Sequence, residues 1–440
     1  MSTSNKKVLN GWAMYDWANS VYNLVITTTF FPAYFIGVTE HNGNDNVKFL
    51  GMELRNSALY DYSLACAYLL IAFCLPILSS IADSRGNKKN FLKFFCYTGA
   101  IGCSLLYFFT PDIIGPYFLE YGVFCFMIAT IGYCGGLVFY NSYLPEIAAV
   151  QDRDRISAKG YAYGYIGSVL LQLVGFALVM IKPFGLTEGG AVLTTFLLVG
   201  IWWASFAQIT FRRLPNPPAK PKVKGNVLKD GFTELKKVYH QVSKMPVLKT
   251  YLRAFFFYSM GVQTVMLAAT IFGKKELHME NSMLIFTVVI IQLVAILGAW
   301  IMAKLSSKYG NFKVLIATVM LWICVCTGAY FTYTQTQFFI LAGLVGLVMG
   351  GIQALSRSTY AKLIPETTDT TSFFSYYDVT EKLAIVIGTF TFGFIDHISG
   401  SMRNSVLILI VFFSIGLIWL FSALRKQRKF AGNGPSTAVA

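Results

Sequence analysis

Twelve apolar runs, each long enough to cross a bilayer, constrain this chain more than any other feature of its sequence. Inside hydrocarbon every backbone N–H and C=O must find its partner within the protein, which leaves helices and closed barrels as spanning structures. Runs of roughly 20 residues between short charged bursts are helical, whereas a barrel shows shorter alternating segments. The spans read approximately 11–37, 57–82, 91–110, 117–143, 158–181, 190–211, 251–272, 282–305, 313–334, 337–364, 373–397 and 402–424. Charged residues make up 13% of the 440, and mean hydropathy is +0.56; a soluble domain is about one-quarter charged. The fold class is all-α and integral to the membrane, with twelve transmembrane helices.

An even number of spans puts both termini on one side, and the basic residues say which. With span ends counted alongside their loops, one side holds 27 of the 36 Lys and Arg. The other holds Lys48, Arg55, Lys182, Lys274, Lys275 and Arg403, while Arg253, Arg357 and Lys382 lie within spans. The positive-inside rule places both termini in the cytoplasm. Topology and anionic lipid headgroups account for the net charge of +15 without any nucleic acid. Compact loops favour a bacterial cell membrane, and a monomer is expected. The first apolar segment is too long, and lacks the cleavage site, for a removable signal peptide.

All eight cysteines fall within spans and are expected to be small buried apolar residues, not disulfides or zinc ligands. The four histidines, His41, His240, His278 and His397, are peripheral. No metal centre, cofactor or Ser-His or Cys-His catalytic set is therefore expected. Asp152-Arg153-Asp154 has the D-x-D form of metal-dependent sugar transferases, but such short matches are common and flanking arginines neutralise it.

The segment Arg212 to Thr250 divides the chain into six spans and six. We expect an N-terminal bundle over 1–211, a basic linker over 212–250, a C-terminal bundle over 251–424 and a tail over 425–440. Pro215, Pro217, Pro218 and Pro221 favour an extended start to the linker. Leu228, Phe232, Leu235, Tyr239 and Val242 then follow a helical period with lysines between them. A helix lying on the membrane surface is expected, with a disordered basic linker as the alternative. The halves echo each other: SSIADSRGNKK and AKLSSKYGNFK place Gly86 and Gly310 224 residues apart, and Leu-Pro-Glu at 144–146 returns as Ile-Pro-Glu at 364–366. Duplicated bundles rocking about a central site are a common build for secondary transporters.

Asp83, Gly86, Lys88 and Lys89 resemble the loop 2–3 motif of the major facilitator superfamily. Ser79 and Ser84 depart from it, and the second copy has Ser307 for the acid. WAMYDWANSVYNLVI, YNSYLPEIA, SAKGYAYGYIGS, QALSRSTYAKLIPE and FFSYYDVTEKLAIVIG together resemble the vacuole-effluxer-like family of that superfamily, relatives of fungal vacuolar amino-acid exporters. The resemblance runs across both halves. It implies two six-helix pseudo-symmetric bundles, a cavity lined by spans 1, 4, 7 and 10 and flanked by 5 and 11, and export of amino-acid-like solutes.

Within span 1, Asp16, Ser20, Asn23 and Thr27 fall on one helical stripe, with Asn19 beside them. An ionised aspartate facing mid-membrane lipid costs about 3 kcal/mol, so the stripe must face protein or a wet cavity. Span 5 repeats the spacing with Tyr161, Tyr165, Ser168 and Gln172; span 7 offers Arg253, Tyr258, Ser259 and Gln263; span 10 offers Gln353, Arg357 and Tyr360. In span 11, Asp378, Lys382, Ile385 and Thr389 share a line with Glu381 beside them. The candidate solute- or proton-binding residues are thus Asp16, Asn19, Asn23, Tyr165, Gln172, Gln263, Gln353 and Arg357. Asp83, Arg253, Asp378, Glu381 and Lys382 are the candidate charge network. That network reads either as a permanent joint between bundles or as a gate that forms and breaks. Asp16 reads either as a binding group or as a packing carboxylate. Arg357 suits a solute carboxylate, which guanidinium binds bidentately, and Asp16 an amine. Asp16, Asp378 and Glu381 are the candidates for proton coupling.

The leading reading is a secondary active transporter moving a small polar solute by alternating access, with protons as a candidate coupling ion. Two rivals are a membrane-embedded lipid-modifying enzyme and a non-transporting sensor or scaffold. The polar stripes and the duplicated halves argue against both.

Overall fold

The computed structural model describes residues 5–40, 45–216 and 227–432, and among them twelve helices are long and apolar enough to cross a membrane. The first half comprises α1 (Lys6–Thr39), α2 (Asn56–Arg85), α3 (Lys88–Leu105), α4 (Phe118–Asn141), α5 (Arg153–Ile181) and α6 (Glu188–Arg213). The second comprises α7 (Pro246–Leu277), α8 (Asn281–Tyr309), α9 (Asn311–Tyr330), α10 (Gln335–Leu363), α11 (Thr370–Ser399) and α12 (Met402–Gly432). The twelve helices thus divide six and six about the linker. Exposed Phe73, Phe94, Leu297 and Phe390 give the exterior its apolar surface, as contact with lipid tails requires.

Helix α1 is not uniform. Its middle, Tyr22–Phe30, is π-helical, and Thr28 Oγ1 donates to Asn23 O at 2.8 Å. Pro32 follows, with no N–H for the carbonyl four residues back and a ring that crowds it. Widening the turns to i→i+5 relieves that conflict. The echoed glycines sit at equivalent helix ends with positive φ, 64° at Gly86 and 88° at Gly310, a conformation that favours glycine.

A hairpin between α1 and α2 has no counterpart in the sequence reading. Strands β1 (Asn46–Phe49) and β2 (Met52–Arg55) pair antiparallel, with Phe49 opposite Met52. Both turn residues, Leu50 and Gly51, have positive φ, the two-residue turn that matches strand twist. Leu-Gly lacks the Asn-Gly signal that betrays such a turn in sequence.

Two other expectations are corrected. Cys66, Cys74 and Cys324 are exposed on the bundle exterior, although the remaining five cysteines are buried. The linker does form a helix, Val227–Lys244, but one face packs on the bundles. Val238 and Val242 are buried, Tyr376 Oη donates to Leu235 O at 3.2 Å, and Lys237 pairs with Asp369 at 3.0 Å. Phe232 and Tyr239, assigned to the apolar face, are exposed. The docking stripe is therefore Leu235, Val238 and Val242. Pro217, Pro218, Pro221, His41, residues 433–440 and the side chain of Leu228 lie outside the described residues.

Candidate functional site

Helices from both halves surround a central cavity of about 930 Å³. Asp16, Ser20 and Asn23 of α1, Tyr68 of α2, Tyr133 of α4 and Tyr161 and Tyr165 of α5 form one wall. Gln263 of α7, Gln292 of α8, Gln353 and Arg357 of α10, and Tyr377, Glu381 and Lys382 of α11 form the other. Tyr165 Oη donates to Gln353 Oε1 at 2.6 Å and so ties the walls together. A second cavity, of about 560 Å³ and lined by residues such as Val265, Phe272 and Leu341, lies wholly in the second half and, Cys326 apart, has an apolar lining.

The polar stripe of α1 reaches the cavity only in part. Asp16, Ser20 and Asn23 line it, and Thr27 does not, because the π-helical turns rotate the later residues off the α-helical line. Asn19 is fully buried away from the cavity, with neither amide atom hydrogen-bonded. Gln172 is likewise buried outside it and donates to Thr29 Oγ1 at 3.2 Å. Neither fits a binding role in this conformation.

Asp16 and Arg357 meet at the cavity floor, joining the halves. Arg357 Nη1 and Nη2 both lie 3.0 Å from Asp16 Oδ2, which also accepts from Tyr140 Oη at 2.8 Å. The remaining guanidinium donors reach Ser157 Oγ (2.9 Å), Ser157 O (2.8 Å) and Asn141 Oδ1 (3.3 Å). The guanidinium lies 4.2 Å from the Tyr161 ring centre and 4.7 Å from that of Trp12, within cation–π range. Both side chains are nearly inaccessible. The assignment of Asp16 to an amine and Arg357 to a carboxylate therefore does not describe this state, in which each occupies the other.

Below the floor, toward the face bearing the termini, three acids clamp the bundles. Asp83 accepts from the backbone N–H of Thr371 (3.3 Å) and Ser372 (2.6 Å) in the first turn of α11, where the helix dipole favours a negative charge. Glu146 bonds Thr370 Oγ1 at 2.6 Å beside its ion pair with Lys88. The second clamp is Asp154, in the first turn of α5. It accepts from Ser306 Oγ (2.6 Å), Asn311 Nδ2 (2.7 Å) and Lys362 Nζ (2.6 Å) of the other half. Ser307 stands 224 residues beyond Asp83, where the second motif copy lacks its acid; Asp154 supplies that acid from the opposite bundle. Sequence reading set Asp154 aside as half of a D-x-D match. Its signal was the missing acid at Ser307.

The remaining charge-network candidates do not join the bundles. Lys382 pairs with Asp378 and Glu381 on its own helix, each at 3.3 Å, and Glu381 Oε1 accepts from Gln263 Nε2 at 3.1 Å within the same half. These three charges are a feature of the cavity wall. Arg253 is exposed and lies 4.9 Å from the ring centre of Trp419, outside the network. On the opposite side of the cavity the halves touch through Leu24, Val169 and Val288, an apolar cluster.

A sequence profile described as vacuole effluxer Atg22 like matches residues 4–431. The chain belongs to that family. An uncharacterized MFS-type transporter of Bacillus subtilis (strain 168), YxiO, is similar to this Atg22-like chain, 29% identical over 414 residues and 93% of each protein. Autophagy-related protein 22-2 of Aspergillus oryzae is 24% identical over 477 residues, covering 87% of this chain and 77% of its own. Among solved structures, the major facilitator superfamily transporter FucP in its outward conformation aligns with a TM-score of 0.69 at 14% identity, over 95% of this chain and 98% of FucP. The human organic anion transporter MFSD10 aligns at 0.75 and 11% identity, over 94% and 99%. Such structural likeness establishes the fold: the Atg22-like chain has the twelve-helix fold of the major facilitator transporters it aligns with.

Proposed function

We propose that this protein is a secondary active transporter that moves an amino acid or similar small polar solute by alternating access, with protons as the coupling ion and the direction set by the gradients. The single observation that carries the reading is the Asp16–Arg357 pair, 3.0 Å across the bundle interface at the floor of a polar cavity. A charged pair buried between two bodies is stable only while they stay together. Separating the bodies frees a carboxylate and a guanidinium at the moment the cavity opens toward the termini, and a solute bearing an amine and a carboxylate can then occupy both.

The clamps of Asp83 and Asp154 support a state closed on the side bearing the termini. The excess of basic residues in the loops on that side supports taking it as cytoplasmic, and the reading takes the membrane to be a bacterial cell membrane. The reading takes the protein as a monomer and not an enzyme, with bundles over 1–211 and 251–424 joined by the linker 212–250 and followed by the tail 425–440.

The test is reconstitution into liposomes and uptake of labelled amino acids with and without an imposed proton gradient. Gradient-driven accumulation of one class, lost in Asp16→Asn, is the expected result. Folded protein that moves no amino acid removes the substrate assignment, and accumulation indifferent to the gradient removes the coupling.

A further inference from the structure

The charges around the cavity do not balance. Three acids, Asp16, Asp378 and Glu381, face two bases, Arg357 and Lys382. Asp16 and Arg357 are matched to each other. Lys382 and Asp378 are equally buried and stand one turn apart on α11, at 3.3 Å. Glu381 is the surplus. Its side chain is one-fifth exposed (20%) and lines the cavity, whereas Asp378 and Lys382 are 4% exposed.

The elements packed around Glu381 supply no further cation among the described residues. They present Tyr68 from α2, Tyr133 and Cys134 from α4, Tyr161 from α5 and Gln263 from α7, all neutral at physiological pH. Gln263 donates to Oε1 and fixes the carboxylate plane, leaving Oε2 to share Lys382. An unmatched charge at membrane depth is costly and is ordinarily neutralised or paired. The tyrosine rings offer π faces to an ammonium group, but not to an anion.

Resting on the transporter reading above, we propose that Glu381 is the cation subsite of the cavity and that each loading event places one positive charge on it. The charge arrives as the ammonium group of a cationic solute, or as a proton taken up with a zwitterionic one. In the second case Glu381 Oε2 gains an O–H bond, Lys382 turns wholly to Asp378, and the proton leaves to the opposite side when the carboxylate ionises again. Gln263 is a positioning residue for this step.

The experiment uses full-length protein in liposomes, with L-lysine and L-glutamine as probes, recording membrane current, labelled solute and internal pH together. Both probes are expected to carry one positive charge per molecule moved, with internal pH changing only for glutamine. In Glu381→Gln the charge moved per glutamine falls from one toward zero, because an amide cannot take up the proton. Electroneutral movement of glutamine by wild type, or an unchanged charge ratio for glutamine in Glu381→Gln, overturns the proposal while the transporter reading stands. Wild-type protein that moves neither these nor any other amino acid overturns both. A solute-free measurement covers a variant that fails to fold or to transport. Infrared difference spectra across a pH step are expected to show a protonated-carboxyl band in wild type that shifts in Glu381→Asp and persists in Asp16→Asn. Absence of that band, or a band unmoved in Glu381→Asp, overturns the assignment.

Discussion

Gly160 of α5 and Asp16 of α1 compete for one space: a Cβ on Gly160 would lie 2.3 Å from Asp16 Oδ2 and 2.8 Å from Arg357 Nη2. The ion pair at the cavity floor exists because a glycine lets it lie against the α5 backbone. Gly160→Ala must displace the pair or bend α5, and overpacking of this kind costs about 1–3 kcal/mol. The expected result is a lower melting temperature in detergent together with weaker transport. A variant that melts and transports like wild type would remove the steric argument.

Breaking the pair is expected to harm more than removing it. Asp16→Asn leaves a buried guanidinium without its counter-charge, a loss of about 3–5 kcal/mol in comparable sites, whereas deleting both charges is often close to neutral. The double variant Asp16→Asn/Arg357→Gln should therefore melt above Asp16→Asn alone, although neither transports. Additive loss in the double variant would show that the two residues are not coupled.

Asp154 and Lys362 should act as one device. Each contributes to a charge-assisted bond across the interface, worth about 1.5–3 kcal/mol. Asp154→Asn is expected to shift the population toward the state open on the side of the termini by about tenfold or more. Lys362→Gln should do the same, with the double variant little worse than either single one. Spin labels at exposed Arg85 and Lys308, one in each half, report the separation. An unchanged distance distribution in Asp154→Asn would sink the clamp.

The linker helix is expected to be held by apolar burial more than by its ion pair. Lys237 is half-exposed in its pair with Asp369, and such surface pairs contribute about 0–1 kcal/mol. Val238 is fully buried, a contribution of about 1.5–3 kcal/mol. Val238→Asp should expose the lysines of the linker to limited trypsin digestion, whereas Lys237→Ala should leave the cleavage rate near that of wild type. The reverse order would place the docking energy in the charge.

Much of the site could be read before the fold. Asp16, Asn23, Tyr165, Gln263, Gln353 and Arg357 stood out because polar groups inside apolar runs have few tolerable places to face, and all six line the cavity. Asn19 and Gln172 obeyed the same rule and went elsewhere, because a protein interior accommodates a polar group as readily as a cavity does. Arg253 read as a network member by its depth, yet it lies on Trp419 at the exterior. Thr27 left the line when the turns before Pro32 widened. Tyr68 and Gln292 were not singled out, although both line the cavity. Asp154 was hidden by a commoner pattern.

Span number, helical state and the duplication of the halves were determined by the sequence alone. A backbone in hydrocarbon satisfies its hydrogen bonds within its own segment, so each apolar run becomes a helix whatever surrounds it. Which charges meet was decided by tertiary structure. Arg357 found Asp16 across 341 residues of chain, whereas Lys382 was matched one turn away on its own helix, leaving Glu381 over. Charge attraction acts on distance in space, and at low dielectric it binds whichever partner the packing of the helices brings nearest.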